Sequence, residues 1–296
     1  MSRIIAALSL AVLTGAALQV PSSVQNPLLR RYREGEHLSY HMYATNEGSH
    51  YEIQASGQVK RDSAGLYFEE YTWSDFSFNG QQVSLSPAMR NFRQRVTLDP
   101  DGHIVPPNLG QVDPRIIGPL TDFMTFYVDL WLAAKAGNLA HPGDHAYVKR
   151  GAPNSWADGT RVVAGQDSID FDLSFQSVDS LDNVAVILVR HVPPEEPRID
   201  LPAIWMHTPV ANTQNNWFEV DKTRSGTYTA AVGKETFDVE LKVSLADGKM
   251  MSATLDNPVS TIERDCVDAA LMSCGKPKSH HITRHVEITL ARPTGA

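Results

Sequence analysis

Strict two-residue alternation between positions 237 and 245 limits this chain to folds in which a β-sheet has one buried face and one wet face. The odd positions from Phe237 to Leu245 are apolar, and the even positions between them are charged residues or serine. Because successive side chains of a strand point to opposite faces, this period predicts a half-buried strand. An amphipathic helix would need apolar residues three or four positions apart.

The return strand determines the turn that joins it to this run. Apolar residues resume at the odd positions 251, 253 and 255. A two-residue turn would set odd positions opposite even ones and bring apolar side chains against polar ones. We therefore predict a three-residue loop, Ala246-Asp247-Gly248, with Gly248 in the left-handed conformation. This register pairs Val243 with Met251 and Leu241 with Ala253.

Strand patterns of the same kind fill most of the chain. In the N-terminal half, alternation at 38–42 and 51–59 flanks Asn46-Glu47-Gly48 and predicts a hairpin. Turns this short join antiparallel neighbours, and parallel strands need longer crossovers. We expect a mainly β protein, either an antiparallel curved sheet or a barrel. The turn-rich residues 137–161 leave open a division into two β units.

One segment, at 120–136, has helical spacing instead. Pro119 precedes it and Gly137 follows it, as is typical of helix ends. Apolar residues nearly encircle this helix, which predicts that it is buried against or inside the sheet. Asp122, Asp129 and Lys135 are expected to mark a narrow polar side.

The N-terminus has the layout of a secretory signal peptide. An apolar run of about half the length of a membrane span follows Arg3 and ends in small residues. We predict cleavage after Ala17, which gives a signal peptide at 1–17 and a β-rich domain at 18–296. An uncleaved anchor is the alternative. The prediction places the protein in the periplasm or outside the cell, with no transmembrane segment after cleavage.

The chain has two cysteines, Cys266 and Cys274. In an oxidising compartment two such thiols tend to pair, so we predict a disulfide that closes a short loop. A redox-active or metal-binding pair is the alternative.

The charge distribution argues against nucleic acid as a partner. The formal net charge is −8, and the lysines and arginines are scattered along the chain. Phosphate binding requires a concentrated basic face. The densest basic stretch, Arg90–Arg95, is interpreted as a solvated strand face.

No standard catalytic or phosphate-binding motif occurs in the sequence, and no cofactor is predicted. His141, Asp144 and His145 share a turn where the backbone can bend, so they are the best local candidates for metal ligands. A solvated turn is the alternative interpretation, and no metal site is favoured.

The histidines in strands could bind a metal ion only together with a ligand from a neighbouring strand. Residues four apart in one strand lie about 13 Å apart, which is too far to share a metal ion. If the first and last strands pair, His37 or His41 could meet His281 or His285. No carboxylate pair is predicted to be catalytic, although Glu69 with Glu70 or Asp75 is the nearest combination.

Aromatic residues are expected on both faces of the strand at 66–78. Tyr67, Tyr71 and Trp73 alternate onto one face, and Phe68, Phe76 and Phe78 onto the other. With the helix filling one side of a curved sheet, such a surface suits an apolar guest. The predicted ligand-binding residues are Tyr67, Tyr71, Trp73, Phe123, Phe126, Tyr127 and Trp131.

The leading functional hypothesis is a non-catalytic exported binding or carrier protein for an apolar or amphipathic ligand such as a lipid. Ordinary core packing by the aromatics is the simplest alternative. An exported hydrolase or metal-dependent enzyme with dispersed site residues is another. A third is an envelope assembly protein that recruits a partner strand at a sheet edge. The sequence alone does not decide whether the protein is an enzyme or what oligomer it forms.

Overall fold

The computed structural model describes residues 26–99, 101–105, 112–151, 155–157 and 160–291. The predicted signal peptide lies outside these residues. All the described strands belong to one antiparallel sheet, which confirms the predicted mainly β fold. The strands are β1 (His37–Asn46), β2 (Ser49–Arg61), β3 (Tyr67–Phe78), β4 (Gln81–Gln82), β5 (Gln94–Val96), β6 (His145–Gly151), β7 (Ser155–Ala157), β8 (Arg161–Gly165), β9 (Ser168–Asp179), β10 (Val184–Val192), β11 (Trp217–Lys222), β12 (Tyr228–Glu235), β13 (Phe237–Ser244), β14 (Met250–Cys266) and β15 (Lys278–Leu290).

Two α-helices accompany the strands in the described ranges, the short α1 (Pro87–Asn91) and the long α2 (Ile117–Ala136). The second is the predicted buried helix. It begins at Ile117 and not at Leu120, because a 3-10 turn at Pro114–Ile116 leads into it. Gly137 ends it with a φ of 73°, a left-handed conformation that costs glycine little. Within the described part of the chain, neither helix is long and apolar enough to cross a membrane.

The sheet forks along its longest strand, β14. One edge of β14 pairs with β15, which leads on through β1, β2 and β3. On the other edge, the first part of β14 pairs with β13 and the second part with β12. The two branches separate at Thr236, opposite Asn257 and Pro258. Proline has no backbone N–H to donate, so a ladder is readily interrupted there.

The predicted hairpin between β13 and β14 forms, but its loop and its register differ from the prediction. The backbone N–H of Ser244 donates to the carbonyl oxygen of Lys249 at 2.8 Å, so residues 245–248 form a four-residue loop in place of the predicted three. Leu241 lies opposite Ala253 as predicted, but Val243 lies opposite Met250 and not Met251. A register shift after Lys242 causes the difference: Met250 is 1% exposed and Met251 is 36% exposed. Gly248 has the predicted positive φ, of 69°, and a Cβ there would lie 2.3 Å from the carbonyl oxygen of Leu29.

The predicted division of the aromatics in β3 is wrong at Phe76. The register between β2 and β3 shifts opposite Ser74, and Asp75 has a positive φ of 51°. This irregularity turns Phe76 to the inner face, where it is buried beside Tyr71 and Trp73. Phe78 stays exposed at the end of the strand.

The main core lies between α2 and the inner face of the sheet. A smaller apolar cluster contains Met206, Phe218 and Leu271 together with Cys266, and Cys274 packs against it. That disulfide is present as predicted. The division of the domain into two sub-units near 137–161 stays a prediction.

Candidate functional site

Most of the predicted ligand-binding aromatics pack against one another in the core. The ring of Phe123 lies 4.7 Å from that of Tyr71, 5.3 Å from Trp73 and 4.9 Å from Tyr127. Phe126 is fully buried, and Trp131 donates its indole N–H to the carbonyl oxygen of Asp99. Close aromatic contacts of this kind stabilise a core by edge-to-face packing. Tyr67 differs, because it lies only partly buried at the start of β3.

A buried ionic network adjoins this aromatic cluster. Glu69 is 1% exposed and accepts hydrogen bonds from Arg30 Nε at 3.2 Å, from the Tyr71 hydroxyl at 2.8 Å, and from the Tyr127 hydroxyl. Arg30 also donates to Glu36 at 2.6 Å. Burial raises the pKa of Tyr71 and Tyr127 well above the ordinary tyrosine value, and the charge of Glu69 adds to the shift. Both hydroxyls therefore stay protonated and serve as donors.

This network also holds the chain that precedes β1. The backbone N–H of Arg31 donates to the carbonyl oxygen of Asp247 at 2.7 Å, and Lys249 pairs with Glu36 at 2.5 Å. Burial alone would lower the pKa of Arg30, but the charge of Glu69 and the bond to Glu36 outweigh it and raise the pKa. The charges are mutually satisfied inside the protein, so we assign this network to the fold.

A cleft of about 420 Å³ lies beside the paired strands β3 and β5. We call it the β3–β5 cleft. Its volume lies within the range of small-molecule sites, about 300 to 1,000 Å³. Tyr67 is the predicted ligand-binding residue that lines it. The lining residues are Asp62, Leu66, Tyr67, Phe68, Arg93, Gln94, Arg95, Val96, Thr97, Gly102, His103 and Val105.

The elements around the cleft fix the positions of its side chains. Glu69 faces Val96 across the β3–β5 ladder, and Glu70 faces Arg95. Alternation then places Phe68 and Arg95 toward the outer face, where the guanidinium carbon of Arg95 lies 3.6 Å from the centre of the Phe68 ring. The positive charge of Arg95 therefore lies directly above the apolar ring of Phe68 in the wall of the cleft.

A second cluster lies at the fork of the sheet. His191 Nε2 lies 2.9 and 3.0 Å from the two carboxylate oxygens of Asp129. A small void of about 20 Å³ beside them, which we call the fork pocket, is also lined by Gln166 and Glu235. Burial raises the pKa of Glu235 to about 7, against the opposing effects of Asn257 and His191. Oε1 of Gln166 is buried and has no hydrogen-bond partner among the described residues.

Two of the residues predicted to mark a narrow polar side of the helix, Asp122 and Asp129, are buried. Asp122 is 3% exposed and Asp129 is 0% exposed. Asp122 accepts a hydrogen bond of 2.7 Å from the Tyr51 hydroxyl and pairs with Arg284, and Asp129 pairs with His191. A carboxylate can be buried when a charged or hydrogen-bonding partner is supplied by another strand.

The candidate metal ligands have other partners. Asp144 accepts the backbone N–H groups of Ala140 at 2.8 Å and His141 at 2.7 Å, and these bonds lower its pKa. His145 lies 2.5 Å from Asp172 on the next strand. Across the residues that the structure describes, no group of three or more histidine, cysteine, aspartate or glutamate side chains could hold a metal ion.

The first and last strands pair, as the histidine hypothesis required, but the register separates the histidines. His41 lies opposite Thr289, and His285 lies opposite Thr45. His285 bonds instead to Asp256 at 2.7 Å and to Glu287 at 2.9 Å, and these contacts raise its pKa despite partial burial.

The sequence did not single out His191, Gln166 or Glu235. They come from three different strands or strand ends, and no local motif links them. From sequence alone, the basic stretch that includes Arg93 and Arg95 is interpreted as a solvated face. The sequence carries no local signal for the cleft, because only the ladder between β3 and β5 brings this stretch beside an aromatic strand.

Comparisons with known proteins found no matching family model, no matching curated protein and no matching solved structure.

Proposed function

We propose that this protein is an exported binding protein that holds an apolar or amphipathic small molecule in the β3–β5 cleft. The observation that carries the proposal is the cleft itself, a recess of about 420 Å³ with an apolar wall of Leu66, Tyr67 and Phe68. Recesses of this size with a few polar groups are the usual form of small-molecule sites. The site needs no movement of the packed core.

The proposed location differs from the one suggested by the sequence. A guest beside Trp73 or Trp131 would have to displace rings that already fill the core, since both are 5% exposed or less. Opening such a packed interior forfeits its contact energy. The carrier hypothesis therefore moves to the partly exposed end of β3, where Tyr67 is the member of the predicted set that lines a cleft.

Two features support export as part of the proposal. The N-terminal segment has the layout of a signal peptide, and the bond between Cys266 and Cys274 suits an oxidising compartment. Intact mass measurement on protein from the cell envelope or the medium should show loss of about the first 17 residues. Recovery of the full-length chain from the cytoplasm alone would contradict export.

A titration with the neutral apolar dye N-phenyl-1-naphthylamine tests the binding proposal. We expect dye fluorescence to rise on binding and the melting temperature to increase by mass action. Phe68→Asp should weaken binding at least tenfold because it sets a charge into the apolar wall. Phe78→Asp is the matched control, since Phe78 is an exposed aromatic at the other end of β3 and does not line this cleft.

Two outcomes would contradict the proposed site. One is dye binding that Phe78→Asp weakens and Phe68→Asp does not, because Phe78 lines a different cleft with Asp122 and Arg284. The other is the absence of any dye binding to a folded wild-type protein.

Acid–base chemistry at the fork pocket is a second candidate function. The contact with Asp129 occupies Nε2 of the His191 ring and leaves Nδ1 available to a guest. Oε1 of Gln166 is a buried acceptor that has no hydrogen-bond partner among the described residues. A void of about 20 Å³ can hold one water molecule. Such a water beside an oriented histidine is the arrangement used by hydrolases.

Hydrolysis of p-nitrophenyl acetate tests this second candidate. It predicts a rate above the buffer background that His191→Gln abolishes, while the same substitution at the exposed His141 leaves the rate unchanged. Equal rates for the wild type and His191→Gln would remove the candidate.

A further inference from the structure

The structure assigns a chemical class to the guest of the β3–β5 cleft: we propose that it is an amphipathic anion, with a carboxylate or phosphate head bound by Arg93 and Arg95. This inference rests on the proposed function and adds the charge of the ligand to it. It also gives a role to the basic stretch Arg90–Arg95, which the binding of an apolar body alone does not explain.

Neither arginine is neutralised by the protein. Arg93 donates to the backbone carbonyl oxygens of Arg90 at 3.0 Å and Phe92 at 2.9 Å. Arg95 lies over the Phe68 ring, and in the described part of the chain neither guanidinium forms an ion pair.

The position of Arg95 over the Phe68 ring leaves its N–H groups available, since none of them has a hydrogen-bond acceptor among the described residues. A guanidinium that lies flat on an aromatic ring keeps its N–H groups in the plane of the stack, pointing away from the ring. Those donors match the two oxygens of a carboxylate or two oxygens of a phosphate. The ring below can then contact the apolar part of the same ligand, so the head and the body are bound by adjacent groups.

Asp62, the carboxylate that lines the cleft, already accepts hydrogen bonds within its own turn. Asp62 Oδ1 accepts the backbone N–H groups of Ala64 and Leu66, both at 2.9 Å. These bonds partly compensate its charge, and Glu70, the carboxylate opposite Arg95 in the ladder, pairs with Lys60 at 2.5 Å. The electrostatic balance of the cleft therefore favours a negative head group.

Three probes with the same chain length test the inference: dodecanoate, dodecanol and dodecylammonium, measured by calorimetry on the full exported chain. The wild type should bind dodecanoate at least tenfold more tightly than dodecanol and should bind dodecylammonium most weakly. Dodecyl phosphate in place of dodecanoate distinguishes a phosphate head from a carboxylate head. Raising the salt concentration should narrow the difference between anion and alcohol.

Substitution of the arginines tests whether they bind the charged head group of the ligand and not its apolar chain. Arg95→Gln and Arg93→Gln should each reduce dodecanoate affinity about five- to tenfold and leave dodecanol affinity unchanged. Arg90→Gln is the matched control, because Arg90 is exposed in the same stretch but does not line the cleft. Unchanged melting temperatures establish that the variants are folded.

The outcomes separate this inference from the proposed function. Equal affinity for dodecanoate and dodecanol, or a preference for dodecylammonium, overturns the anionic head and leaves the binding function standing. Anion binding that Arg90→Gln weakens as much as Arg95→Gln also overturns the assignment. Failure of every probe to bind the folded wild type overturns both.

Discussion

Removal of the buried carboxylate of Glu69 should be among the most costly polar substitutions in the protein. In Glu69→Gln, the buried guanidinium of Arg30 loses an ion-pair partner, and the hydroxyls of Tyr71 and Tyr127 lose the charged acceptor that they share. The Arg30 side chain is 0% exposed, so water cannot replace the lost contact. Breaking one partner of a buried ion pair costs about 3 to 5 kcal/mol, and because Arg30 keeps Glu36 at 2.6 Å we expect a decrease in unfolding free energy near the low end, about 3 kcal/mol.

The neighbouring residue supplies the control. Glu70 lies on the opposite face of β3 and pairs with Lys60 at 2.5 Å, and the Lys60 side chain is 44% exposed. Glu70→Gln should therefore cost about 0 to 1 kcal/mol, as is usual for exposed pairs. Urea denaturation followed by circular dichroism measures both changes.

A double variant separates the buried charge from the loss of packing. Arg30→Met combined with Glu69→Leu should be more stable than Glu69→Leu alone, because the buried guanidinium of Arg30, which keeps only part of its compensation from Glu36, is then removed from the core. A Glu69→Gln variant within about 1 kcal/mol of the wild type would refute the reasoning, since the network would then be solvated and not buried.

Three further predictions concern the core, the disulfide and the fork. Phe123→Ala should lower the unfolding free energy by about 3 to 5 kcal/mol, and Phe78→Ala by less than about 1 kcal/mol, in urea denaturation; equal losses would contradict the assigned burial. Cys266→Ser with Cys274→Ser should cost about 2 to 3 kcal/mol, because the bond closes a short loop with a sequence separation of 8; full alkylation of unreduced wild type would show that the bond is absent. Because the pKa of Glu235 is raised from 4.5 to about 7, the native state binds more protons in this window, so stability should fall as the pH rises through it; Glu235→Gln should flatten this slope, and an unchanged slope would argue against the raised pKa.

The strands and the long helix could be predicted because their signals are local. Side chains alternate along an extended backbone whatever lies opposite, so the strands from Phe237 to Leu255 and the hairpin at Glu47-Gly48 follow from spacing alone. Bulges are different. The insertion of one residue depends on the partner strand, and this is why Met250 and Phe76 take buried positions that the alternation assigned differently.

The buried charges could not be predicted because their partners are distant in sequence. Asp129 bonds to His191, which is 62 positions away, and Asp122 pairs with Arg284, which is 162 positions away. A polar residue on a helix is most often exposed, and only the tertiary fold shows the partner that permits burial. The cleft follows the same rule, since it combines the start of β3 with β5 and the loop that contains His103.

Photo-crosslinking tests the proposed binding site most directly. The purified full-chain protein is irradiated with a dodecanoate that carries a diazirine on its chain, and the modified peptides are mapped by tandem mass spectrometry. Crosslinks should fall within residues 62–68 and 93–105, and excess unlabelled dodecanoate should suppress them. Specific crosslinks confined to other parts of the chain, or labelling that excess dodecanoate does not suppress, would contradict a ligand site in the β3–β5 cleft.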